Sequence, residues 1–159
     1  MIMLIGKLRG WGIFLFLFMI TFVASAQNSP QTVLRDAYGI IVKEWNDSSL
    51  IYINKKGKEY KIPLNGICYK GGDSALKRFV YKTIKKEYEC NVREIFIILF
   101  NQNLKIEEIR IAYNGINIES QKCKHRKEYI RALKETRGMW IKKIKNQKKY
   151  VYIISMHIN

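Results

Sequence analysis

Proline is nearly missing from this 159-residue chain, with two residues, Pro30 and Pro63, and histidine is equally scarce. So little proline excludes a proline-rich spacer. Two histidines, His125 and His157, that nothing in the sequence places together give no basis for acid/base catalysis. Three cysteines, Cys68, Cys90 and Cys123, allow one disulfide with a thiol left over, and their spacing fits no zinc pattern. Acidic residues are also few: 13 Asp and Glu against 29 Lys and Arg give a formal net charge of +16. That imbalance predicts attraction to anionic surfaces such as anionic lipid, lipopolysaccharide, nucleic acid or an acidic partner.

What is present begins with a leader. Lys7 and Arg9 precede an apolar run from Trp11 to Val23, and Ala24-Ser25-Ala26 supplies the small residues a signal peptidase needs. The run is shorter than the roughly 20 residues of a spanning helix. The expectation is export, with cleavage after Ala26 leaving a periplasmic or extracellular domain; retention as an anchor is the rival reading. Residues 27–159 suffice for one domain with a core, divided into a β-rich segment over 27–66 and a second part over 67–159.

The second part is organised around Val92 to Phe100. It is rich in β-branched and aromatic residues and apolar on both alternating sets from Ile95, the pattern of a strand buried on both faces. Asn101-Gln102-Asn103 supplies turn chemistry, and a second strand follows over 104–113. Ile109, Ile111 and Tyr113 alternate while Ile106 is out of phase, which predicts a bulge near Glu107 and Glu108. Adjacent carboxylates on a strand face opposite ways, so this pair reads as surface rather than as an acid/base couple.

Before the central strand, Gly71-Gly72 permit a sharp turn and Asp73 or Ser74 is placed to cap a helix over 74–89. Leu76, Phe79, Val80, Thr83, Ile84 and Tyr88 form its inner stripe. The double glycine lacks the length and the Lys-Ser/Thr of a phosphate loop. A second helix is expected over 125–137, with Tyr129, Ile130 and Leu133 inward, and a last strand over 149–158. The window from Gln121 to Lys149 holds twelve Lys or Arg against Glu128 and Glu135. In the front segment, Tyr38 to Trp45 reads as a strand. Leu50 to Asn54 and Glu59 to Pro63 flank Lys55-Lys56-Gly57-Lys58 as a hairpin, an appended ribbon with a charged outer face.

The fold class expected is therefore α+β: a small antiparallel sheet (strands about 92–100, 104–113 and 149–158) with two helices, plus an N-terminal β-ribbon. From about Tyr69 to Asn159 the chain resembles the C-terminal domain of the TonB energy-transducer family. Tyr69-Lys70-Gly71-Gly72 with Ala75-Leu76 and Phe79 is similar to that family's aromatic-Pro-Gly-Gly opening of a helix. Ile106 to Ile111 resembles its Ile-x-x-Val-x-Val strand, Ala132-Leu133 followed by Trp140 its Ala-Leu helix and tryptophan, and Ile158-Asn159 its ending. Gly138 and Lys142 stand where the family has prolines.

The resemblance implies a non-catalytic periplasmic binding module whose last strand pairs with a segment of an outer-membrane receptor in transport. On this reading Trp140, Lys142, Lys143, Tyr150, Tyr152 and Ile154 are the candidate partner-binding residues, the aromatics being also candidates for sheet core. No catalytic, cofactor-binding or metal-ligating residue is assigned. The alternative function is a secreted basic protein binding anionic lipid, lipopolysaccharide or nucleic acid, with nucleic acid disfavoured and a small ribonuclease placed last.

Overall fold

Asparagine closes three of the hairpins of this protein. The computed structural model describes residues 33–84, 92–112 and 126–158. Within them, Asn46, Asn54 and Asn101 each end a strand and turn the side-chain carbonyl back onto amides of the loop that follows. Asn54 Oδ1 accepts from the Lys56 and Lys58 amides, and Asn101 Oδ1 from those of Asn103 and Lys105. Both turns then need a left-handed residue at the fourth position. Gly57 fills it at φ 78°, and Leu104 fills it at φ 58° against the cost of its Cβ.

Among the described residues nine strands and two helices result: β1 (Leu34–Asp36), β2 (Gly39–Trp45), β3 (Ser49–Ile53), β4 (Glu59–Pro63), β5 (Ile67–Tyr69), α1 (Gly72–Thr83), β6 (Val92–Asn101), β7 (Ile106–Ala112), α2 (Arg126–Glu135), β8 (Trp140–Lys142) and β9 (Lys149–Ile158). They form three antiparallel sheets with strand orders β1-β2-β3-β4, β5-β8 and β7-β6-β9. The fold is α+β. The predicted bulge lies at Glu107, where Leu99 pairs with Glu108 and the next residue, Phe100, with Ile106.

The central strand is buried on both faces. Phe96, Ile98 and Phe100 join Leu76, Val80, Tyr129, Leu133 and Trp140 in a core beneath the helices. Ile97 and Leu99 face the other way, into a second core with Leu34, Ile41, Val42, Leu50, Tyr52 and Ile62. Segment 33–66 is thus no appended ribbon: it is a four-stranded sheet that covers the second face of β6. Its alternation is weak in sequence because β2 shifts register between Val42 and Glu44. Thr32 to Asn159 forms one compact unit that contains both cores whole.

A buried ion pair joins the two sheets. Arg110 on β7 donates to both carboxylate oxygens of Asp36 on β1, with Nε to Oδ2 at 2.6 Å, and Nη1 donates to the Ile53 carbonyl at 2.8 Å. Nearby, the Tyr52 hydroxyl donates to Glu108 Oε2 at 3.2 Å, and Glu108 Oε1 is buried without a partner. Glu108 is therefore more enclosed than a surface carboxylate, while Glu107 pairs with Lys149.

Helix α1 starts two residues earlier and ends six earlier than the apolar stripe suggests. Gly71 and Gly72 are both left-handed, at φ 89° and 74°, and Gly71 is the N-cap with no side chain capping it, so neither Asp73 nor Ser74 does so. At the far end the Thr83 hydroxyl bonds the Phe79 carbonyl, and Ile84 turns extended while still burying its side chain. Tyr88 lies outside the described residues, as do the leader, Tyr113, the 114–120 loop, Cys90, Cys123 and His125. Helix α2 likewise stops at Glu135, short of the expected 137, before a turn through left-handed Gly138. No helix among the described residues is long and apolar enough to cross a membrane.

Candidate strand-docking edge

Strand β9 pairs with β6 over its whole length, from Lys149 opposite Asn101 to Ile158 opposite Val92, without a register shift. On its other side no strand among the described residues pairs with it. The His157 amide fixes which backbone groups face outward. It donates to the Tyr81 hydroxyl at 3.1 Å, and the His157 carbonyl accepts from the Tyr129 hydroxyl at 3.3 Å, so His157 is turned away from β6. Antiparallel parity then turns Lys149, Val151, Ile153 and Ser155 outward too, and gives Tyr150, Tyr152, Ile154 and Met156 to the β6 ladder.

Both ends of this edge are closed. At the start the chain passes from the front sheet to the helix layer through Gly66. A Cβ on Gly66 would sit 3.3 Å from Tyr150 Cδ1, and the Gly66 carbonyl accepts from the Lys143 and Ile144 amides. At the end Tyr81, two-fifths exposed on α1, occupies the His157 amide. Between them Ile153 and Ser155, both half-buried, turn two N–H and two C=O groups outward, while Val151 is buried in the second core.

The other edges are guarded in ways β9 is not. Strand β1 is three residues long, β4 carries Glu59 and Lys61 and ends on Pro63, and β7 is kinked by its bulge. Strand β9 has ten residues, no proline and no bulge.

The candidate contact residues divide sharply. Trp140 is core: its ring lies 4.7 Å from Phe100 and 4.9 Å from Tyr152, and its Nε1 donates to Thr136 Oγ1 at 2.9 Å. Tyr150 and Ile154 are fully buried, the Tyr150 hydroxyl being spent on the Ile144 carbonyl. Tyr152 is half-buried and donates to Asp73; burial first, then the Asp73 acceptor and its charge, push its phenol well above the usual range. Lys142 and Lys143 are exposed, with Lys142 Nζ 5.8 Å from the Tyr150 ring centre. The structure thus gathers these residues around β8 and the first half of β9 but leaves only the lysines open to contact.

The residues that shape the edge itself, Tyr81, Gly66, Ile153, Ser155 and His157, carry no sequence signal of that role. Their importance follows from strand parity and from which hydroxyl reaches which amide. Cys68 carries a free, half-buried thiol. Among the described residues no group of three His, Cys, Asp or Glu side chains is placed to hold a metal ion. Compared with protein-family models, curated proteins and solved structures, the chain matches none.

Proposed function

We propose that this protein is a non-catalytic binding module of the cell envelope, similar to the TonB C-terminal domain, that takes an extended partner segment along the outer edge of β9. The observation that carries the reading is the contrast among edges: β9 is long, regular and proline-free, and its outer side pairs with no strand among the described residues, where the other edges described are short, charged or bulged. Strand addition draws its affinity from main-chain hydrogen bonds. It therefore does not need the buried rings of Trp140 and Tyr150, whose part is to hold β9 flat against the helix layer. The reading places the domain in the periplasm after removal of the 1–26 leader, with an outer-membrane receptor or another envelope protein as partner.

The test is capture from outer-membrane extracts by residues 27–159 at low and at high salt, with Ser155→Pro as the edge-blocking variant. The Ser155 amide faces outward, so proline there removes an edge donor without cutting the β6 ladder; at Tyr152 it would cut that ladder. One receptor retained at high salt by the parent domain and lost by Ser155→Pro supports the reading. Capture that disappears with salt and is indifferent to Ser155→Pro refutes it.

A further inference from the structure

Two of the few large apolar side chains exposed among the described residues stand side by side. Met139 and Ile141 are 38% and 49% exposed and flank the buried Trp140. Alternation along β8 turns Ile141 outward as Trp140 turns in, and Met139, just before the strand, is partly exposed with its Sδ accepting from the Tyr69 hydroxyl at 2.8 Å. Ile141 lies opposite the half-buried Cys68 of β5, and the Met139 carbonyl accepts the Lys70 amide at 2.8 Å, so the face is continuous across the two strands. The chain segments that carry it are basic. From Thr136 to Lys149 the chain has six Lys or Arg and no Asp or Glu, and from Tyr60 to Gly72 there is again no acidic residue. Arg137, Lys143 and Lys70 are exposed on the segments that carry the pair, while the same alternation turns Lys142 to the Trp140 side, its Nζ 5.8 Å from the Tyr150 ring.

We infer that the outer face of the β5–β8 sheet is a docking surface for an anionic phospholipid bilayer. The chemistry fits that occupant at two depths. Lysine and arginine reach phosphates at the headgroup level, and Ile141 and the Met139 methyl enter the boundary beneath. A soluble acidic protein would satisfy the rim but would need an apolar complement of its own. The inference does not depend on strand pairing, since β9 meets this sheet only from behind, where Tyr152 packs on Trp140.

The experiment is co-sedimentation of the compact unit Thr32–Asn159 with phosphatidylcholine vesicles that do or do not contain phosphatidylglycerol. Parent protein is expected to bind only the anionic vesicles and to keep a residual fraction at salt that screens surface charge. Ile141→Ser, which leaves the charge unchanged and alters a side chain already half in water, should weaken binding about fivefold, with Ile141→Leu restoring it. Lys70→Gln with Lys143→Gln should cost about twentyfold at low salt. Three results would each overturn the inference: no binding to the anionic vesicles, an Ile141→Ser variant that binds as the parent does, or an Ile141→Ser defect matched by loss of a dimer in lipid-free solution. The last would make this face a contact between copies.

Discussion

Replacing Asp36 by alanine should destabilise the domain far more than its place on a three-residue strand suggests. Its carboxylate is 7% exposed and faces an Arg110 side chain that is 1% exposed, so solvent screening scarcely discounts the pair. Removing one partner takes both carboxylate acceptors from a buried guanidinium, leaving it the Ile53 carbonyl and the neighbouring Tyr52 and Glu108, a loss of about 3–5 kcal/mol. The Tyr38 amide also loses its acceptor, Asp36 Oδ1, worth about 1 kcal/mol more. Against a typical total of about 5–15 kcal/mol this removes a large share. Urea unfolding followed by tryptophan emission reads it, because Trp140 is packed among Tyr69, Phe100 and Tyr152. Asp36→Leu combined with Arg110→Met should recover most of the loss, since the cost is that of a stranded charge. An Asp36→Ala variant within about 1 kcal/mol of the parent would refute the reasoning, placing the pair among weak surface bridges.

Glu94 predicts a pH dependence of stability. Burial raises its pKa above the ordinary carboxylate value, the Arg126 hydrogen bond and charge opposing, and its Oε2 is buried without a partner. The folded state then holds the proton more tightly than the unfolded state. Glu94 therefore contributes stability that is full below the unfolded carboxylate pKa and lost as pH rises through the raised folded value; Glu94→Gln should lack that decline in urea midpoints measured across the range. Gly71→Ala should cost about 2 kcal/mol or more, since φ is 89° and the new Cβ would meet that of Ala75 at 2.9 Å, whereas Gly57→Ala, left-handed but in open space, should cost about 1 kcal/mol. Equal losses for the two glycines in thermal unfolding would remove the close approach from the account.

The parts of the fold that were legible in sequence are those where one physical signal dominates. Ile95 to Phe100 is apolar on both alternating sets because both faces are covered, and the phase slip between Ile106 and Ile109 is the bulge itself. Gly57 and Gly71-Gly72 mark turns because the backbone there is left-handed. Three elements were hidden by brevity: β1, β5 and β8 have three residues each, too few for any periodicity. The end of α1 was hidden because Ile84 stays buried after the helix has stopped, so the apolar stripe outlives it. The candidate site was legible as a place, the last strand and the tryptophan before it, but not in its chemistry. An aromatic on an alternating strand reads the same whether it faces a core or a partner, and only the packing around Trp140 and Tyr150 separates the two.

The most direct test of the open edge is amide hydrogen exchange resolved along β9. The Tyr152, Ile154 and Met156 amides should be protected by the β6 ladder and His157 by the Tyr81 hydroxyl, while Ile153 and Ser155 exchange fast until a partner strand is added and then slow. Protection of Ile153 and Ser155 equal to that of Ile154 in the isolated domain would mean that the edge is already taken, and would contradict the account.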